Sequence, residues 1–210
     1  GVMTALGQQA VASSSSALRI VDRAYVAWGT VAFAYPIAFL QRMSPQTVGL
    51  TFAHDFGTDA SVVPRLASSY FWGYTLMQIP AGVLVDRYGV KRVVLGSMTA
   101  SVLGSAAFAL SPSLLDVFIA RVIVACGDAL VFTALLKLVA QSFSDERFGL
   151  VAVVSQVSCY AGGVMATTPL AAAVSGVGWR ACFLVIACVG IANLACTSVA
   201  LKPEPANYAG

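Results

Sequence analysis

The chain is 210 residues long, 59% hydrophobic and only 10% charged, with a mean hydropathy of +0.84. A soluble domain needs roughly a quarter charged residues to cover its surface, so an ordinary soluble globule is excluded. Apolar residues dominate, glycine has no period of three, and the five cysteines are scattered, which excludes a disordered chain, a collagen and a disulfide-stapled module.

Residues 1–22, with the run Ser13-Ser14-Ser15-Ser16, read as a flexible cytoplasmic tail that lacks the charged start and short apolar core of a signal peptide. Beyond it the charges are sparse enough to serve as rulers. Arg23 to Arg42 encloses 18 uncharged residues, Arg65 to Asp86 encloses 20, Arg92 to Asp116 encloses 23, Arg147 to Arg180 encloses 32 and Arg180 to Lys202 encloses 21. A helix needs about 20 largely apolar residues to cross the hydrocarbon core. A sixth span lies between Leu114 and Ala140, although it contains Arg121, Asp128 and Lys137. Six transmembrane helices are therefore predicted, at residues 24–43, 66–85, 93–110, 114–140, 148–173 and 181–201. The fold class is an all-α membrane bundle, because a barrel would show short alternating segments instead. A long external loop, residues 44–65, joins the first two helices and holds the sole histidine, His54.

Orientation follows the basic residues. With the N-terminus inside, eight of them (Arg19, Arg23, Arg87, Lys91, Arg92, Lys137, Arg147 and Lys202) are cytoplasmic and three (Arg42, Arg65 and Arg180) external, as the positive-inside rule requires. Both termini are expected in the cytoplasm, with a bacterial inner membrane as the setting. The small net charge of +3 follows from the same rule and implies no nucleic-acid partner.

Gly96, Ala100 and Gly104, and likewise Gly162 and Ala166, recur at helix-packing intervals. The cysteines lack CxxC spacing and read as apolar fillers, so neither metal nor cofactor is expected. Arg121 and Asp128 are ionisable groups at membrane depth, seven residues apart on one helix face, and thus site candidates. Bridges between helices are the alternative. Lys137 reads as an anchor reaching the cytoplasmic interface. Polar stripes recur elsewhere: Trp28, Tyr35 and Arg42; Tyr70, Tyr74 and Gln78; Gln156, Tyr160, Gly163 and Thr167; Asn193 and Thr197. In hydrocarbon such groups must face one another or a wet cavity.

The turn Gly82-Val83-Leu84-Val85-Asp86-Arg87-Tyr88-Gly89-Val90-Lys91-Arg92 places a carboxylate, Asp86, at the end of a helix where it opposes the macrodipole and needs a donor. This turn resembles the G-x-x-x-D-R-x-G-R-[RK] loop of the major facilitator superfamily, with Val90 in place of an arginine. Arg121, Gly127 and Asp128 are similar to the R-x-x-x-G-x-G-[ED] pattern of that family's fourth helix, with Ala125 replacing a glycine. Glu146-Arg147-Phe148-Gly149 and Gly178-Trp179-Arg180 resemble the entries to its fifth and sixth helices.

The resemblance covers residues 23–201. It implies the N-terminal six-helix half of a secondary transporter working by alternating access, with residues 202–210 starting a linker to a second half. It makes Gly82, Asp86, Arg87, Gly89, Lys91 and Arg92 a conformational latch between halves. Substrate and coupling candidates are Arg121, Asp128, Arg42, Tyr35, Gln78, Tyr74, Gln156, Tyr160 and Asn193. The expected partners are a small-molecule solute, the lipid bilayer and the second half or another copy of the chain. Arg42 and Arg121 favour an anionic organic solute, since a guanidinium holds carboxylate or phosphate bidentately, and a proton is the expected coupling ion. A dimerising half-transporter is one alternative. A membrane-embedded enzyme is the other, but the chain lacks paired membrane aspartates, an HExxH motif and a serine with a basic partner.

Overall fold

In the computed structural model the side chains of residues 23–202 are described, so the expectations for residues 1–22 and 203–210 lie outside the described residues. The described chain is helical throughout: α1 (described over Arg23–Asp55), α2 (Val62–Tyr88), α3 (Val90–Leu110), α4 (Leu114–Ser142), α5 (Asp145–Met165), α6 (Thr168–Val177) and α7 (Trp179–Ala200). All of these except α2 and the ten-residue α6 are long and apolar enough to cross a membrane. The 27 residues of α2 also suffice in length, spanning ~40 Å at ~1.5 Å per residue, but Ser68, Ser69, Tyr70, Tyr74 and Gln78 dilute its apolar character. Since α6 continues α5 through a break, the seven helices make six passes.

Two expectations are corrected. The external loop 44–65 is mostly helix, because α1 runs on through Pro45 to Asp55 and leaves only a short turn with Gly57 at φ 59°. Proline removes a helix donor and normally breaks the helix. Here the Gln41 carbonyl, deprived of the Pro45 N–H, is served by the Ser44 hydroxyl at 2.8 Å and by Arg121 Nη1 at 2.7 Å. The predicted single helix over 148–173 is instead two. Pro169 frees a carbonyl one turn back, Thr167 leaves helical geometry at ψ −120°, and the Thr47 hydroxyl donates to the Ala166 carbonyl at the break.

Small residues set the closest helix contacts. At Gly104 a Cβ would stand 2.6 Å from Val124 of α4, and at Gly127 one would stand 2.6 Å from the Ser97 carbonyl of α3. A Cβ on Gly162 would collide with the Pro36 carbonyl of α1. Gly96, from the predicted stripe, meets nothing within 4 Å and takes no part.

The core has an apolar cluster at each end. Val31, Val85, Val94, Leu135 and Val139 pack at the end that holds Gly89, and Phe52, Leu66, Phe108, Trp179 and Phe183 at the end that holds Gly178. Between them lie the buried polar side chains Gln41, Ser101, Ser105, Arg121, Asp128 and Asn193. In a low-dielectric interior each of these needs a partner, and that requirement builds the site.

Candidate functional site

Helices α1, α2, α3 and α4 meet at mid-depth around Arg121 and Asp128, whose exposures are 1% and 2%. The pair shares one face of α4, as their spacing predicts, but Tyr70 of α2 stands between them. Its ring lies under the Arg121 guanidinium at 4.9 Å, and its hydroxyl donates to Asp128 Oδ2 at 3.0 Å. The Ser101 hydroxyl of α3 donates to Asp128 Oδ1 at 2.8 Å and accepts from Gln41 Nε2 of α1 at 3.1 Å. Ser105 donates to Gln41 Oε1, which closes a chain of hydrogen bonds across four helices. Arg121 directs both Nη atoms to α1, at the carbonyls of Gln41 (2.7 Å) and Arg42 (3.5 Å), while its buried Nε has no partner.

One turn toward α5 the environment opens. The Arg42 guanidinium lies over three rings, Phe71 at 4.8 Å, Tyr74 at 5.4 Å and Phe39 at 5.7 Å, and its Nε is also buried without a hydrogen bond. Aromatic faces attract a cation without neutralising it, so this charge stays available to an anion. The Tyr35 hydroxyl donates to Gln156 Oε1 at 3.4 Å and its ring stacks on Phe132 at 5.2 Å; Tyr160, exposed, sets its edge against Phe39 at 5.7 Å. Trp28 donates to Ser155 at 2.8 Å, so the α1 stripe of Trp28, Tyr35 and Arg42 follows α5 along its length.

The structure thus brings Arg42, Tyr35, Tyr74, Gln156 and Tyr160 together on the α1, α2 and α5 wall, and Arg121 with Asp128 behind them. Gln78 is exposed farther along α2 and outside this group. Asn193 is buried on α7, on the far side of Asp128 from Arg42. Sequence reasoning missed Gln41, Ser101 and Ser105, and it counted Tyr70 as one polar stripe member only. The repeat Ser97, Ser101, Ser105, a hydroxyl every four residues of α3, was the available signal.

At the turn between α2 and α3, Gly89 reverses the chain at φ 80°, a left-handed conformation that side chains disfavour. Asp86 pairs with Lys137 of α4 at 2.5 Å, which makes Lys137 a partner of the turn. Arg87 lies over Tyr88 at 5.6 Å, Lys91 donates to the Ser198 and Leu201 carbonyls of α7, and Arg92 and Gly82 are exposed. Val90, where the family pattern has an arginine, is buried in the aliphatic cluster with Val85 and Val94.

A bundle of six passes with charged residues buried on its fourth long helix and a glycine-turned loop between its second and third defines an all-α membrane-spanning bundle. The chain belongs to the Major Facilitator Superfamily, whose family model matches residues 24–209. A multidrug resistance protein B homolog of Mycobacterium tuberculosis is 29% identical over 149 residues, covering 71% of this chain and 28% of that protein. A probable galactarate/D-glucarate transporter of Pseudomonas putida is 30% identical over 119 residues, covering 54% of this chain and 26% of that one. Among solved structures, a bacterial homolog of the human lysosomal transporter Spinster, inward-facing and unoccupied, superposes with a TM-score of 0.76 at 17% identity, covering 89% of this chain and 44% of that chain. The chain spans under half the length of each of these relatives.

Proposed function

We propose that this chain forms the first half of a secondary active transporter for a small anionic organic solute, driven by a proton that Asp128 carries, with alternating access. Arg42 carries the reading. It is a guanidinium held by three rings and paired with no acidic side chain among the described residues, on a wall shared with the hydrogen-bonding groups of Tyr35, Gln156 and Tyr160. The relative named for galactarate and D-glucarate supports an anionic solute, since both are sugar acids. The multidrug homolog and the exposed rings of Phe71 and Tyr160 support a second reading, export of an aromatic drug. Solute, lipid bilayer and a second six-helix half, or another copy of this chain, complete the working unit. Both termini face the cytoplasm in this reading, and a bacterial inner membrane is its setting.

The test is uptake into vesicles holding the full-length protein, across labelled carboxylates, sugars and cationic drugs. Carboxylate uptake that collapses in Arg42→Gln, with protein yield unchanged, is the expected result; drug transport indifferent to Arg42 would establish the second reading. Arg121→Lys keeps the charge but loses the planar fork that reaches two carbonyls, and transport is expected to cease. Asp128→Asn should stop uphill accumulation while solute exchange survives. In the latch, Asp86 is shared between Lys137 and the second half in alternation, so Asp86→Asn should raise cytoplasmic-side labelling of the cavity.

A further inference from the structure

Behind Asp128, away from Arg42, lies a cavity of about 20 Å³. One water needs roughly 10–15 Å³, so the cavity takes a single small occupant. Its polar lining is Gln41 of α1, Ser101 and Ser105 of α3, Asp128 of α4 and Asn193 of α7; aliphatic side chains such as Val102 and Ile186 close the rest. Asn193 is only 7% exposed, and its amide nitrogen has no hydrogen-bond partner. A buried N–H is costly unless something accepts from it, so the occupant has to be an acceptor.

The other side of the cavity asks for the opposite. The Ser101 hydroxyl already gives its hydrogen to Asp128, and the Ser105 hydroxyl gives its own to Gln41 Oε1 and the Ser101 carbonyl. What these bonds leave over at Asp128, Gln41 Oε1 and Ser105 is lone pairs. The occupant therefore accepts from α7 and donates toward α1, α3 and α4. A metal cation or an ammonium ion has no lone pair to offer Asn193. A halide accepts but donates nothing, and it would lie against a carboxylate in a low-dielectric interior. Water does both. Turning the Asn193 carboxamide end for end exchanges its donor for an acceptor, and water still serves, because it has two hydrogens to give.

We infer that the cavity enclosed by α1, α3, α4 and α7 is a site for one ordered water, which accepts from Asn193 and donates to Asp128. Of the α7 residues that line it, Ile186 and Gly190 bring no polar side chain, so Asn193 acts for the whole helix. Through this water α7 joins the hydrogen-bond chain that runs across α1, α2, α3 and α4. Gly190 permits the approach, since a Cβ there would stand 2.7 Å from Val102 of α3. The solute-facing wall of Arg42, Tyr35 and Gln156 contributes nothing to the cavity, and the site does not depend on which solute that wall takes.

Met98 supplies the probe, because it lines the cavity at 4% exposure and its thioether is readily oxidised. Brief X-ray irradiation of the purified full-length protein makes hydroxyl radical from water on the spot, so a side chain shut off from bulk solvent is oxidised where a bound water touches it. Oxidation of Met98, read by mass spectrometry, is the expected result, with Phe108, buried outside the cavity, left unlabelled. Asn193→Leu fills the cavity with methyl groups and should abolish that oxidation; Asn193→Ser keeps a hydroxyl and should retain it. No labelling of Met98 in the unaltered protein, or labelling undiminished in Asn193→Leu, overturns the site. Crystals of the unaltered full-length protein grown in bromide answer the question even if Asn193→Leu fails to fold. One peak without anomalous signal, at hydrogen-bond distance from both Asn193 and Asp128, supports the water; a bromide peak, or no density there, overturns it. Neither measurement reads transport, so the water site and the solute reading stand or fall separately.

Discussion

Gly89 and Gly178 each turn the chain at a positive φ, and two residues beyond each a cation reaches across to the carbonyl end of another helix. Lys91, at the start of α3, donates to the Ser198 and Leu201 carbonyls that end α7. Arg180, at the start of α7, donates to the Ala109 and Ser111 carbonyls that end α3, both at 2.9 Å. The two antiparallel helices cap each other with cations where the macrodipole favours them. The surroundings differ. Arg180 lies over the Trp179 ring at 4.4 Å, and that ring packs on Phe52 and Phe108 and donates to Asp55 at 2.7 Å. Beside Lys91 stand the buried Val90 and, on the same turn, an ion pair whose Asp86 side chain is 74% exposed. The Gly178 turn is held by aromatic packing, which salt does not weaken, whereas the Gly89 turn adds to its aliphatic packing an exposed ion pair that salt screens.

Breaking the aromatic end at Gly178 should cost most. Trp179→Ala removes a ring with 2% exposure and should destabilise the full-length protein by about 3–5 kcal/mol, read as a lower unfolding midpoint in detergent. Arg180→Met leaves two carbonyls uncapped and should cost roughly 1.5–3 kcal/mol, with Arg180→Lys restoring part of it. Lys91→Met should cost about 1 kcal/mol, because its half-exposed ammonium leaves carbonyls that water can reach. For Asp86 and Lys137, a double-mutant cycle should return a coupling below about 1 kcal/mol that fades at high salt. A salt-insensitive coupling there, or salt-sensitive loss at Arg180, would erase the contrast between the ends.

Much of this was legible in the sequence. The gaps between charges mark five of the six passes, since hydrocarbon excludes charge regardless of tertiary detail; the fourth carries three charges and follows from its apolar run between polar flanks, and Gly89 and Gly178 mark the two turns. Arg121 and Asp128 announce a site for the same reason. What the sequence hides are rescues that act at a distance. Pro45 looks like a helix end because its repair comes from Arg121, 79 positions away for the bond to Arg42 and 80 for that to Gln41. Tyr70 looks like one stripe member among several, because only packing places its ring beneath a guanidinium and its hydroxyl on a carboxylate. Asp86 needs a donor by its position, but nothing in the sequence points to Lys137, 51 residues away, whose reading as an anchor is complete without it.

The repair at Pro45 also orders events during synthesis. Helix α1 reaches the bilayer before α4 has been made, so at that moment its Gln41 carbonyl has only the hydroxyl three residues away, on Ser44. That hydroxyl satisfies the carbonyl from within α1 itself, with no other helix required. Ser44→Ala should therefore leave the finished protein nearly unaltered, with Arg121 in place, and lower the fraction of nascent chains in which the first helix stays inserted.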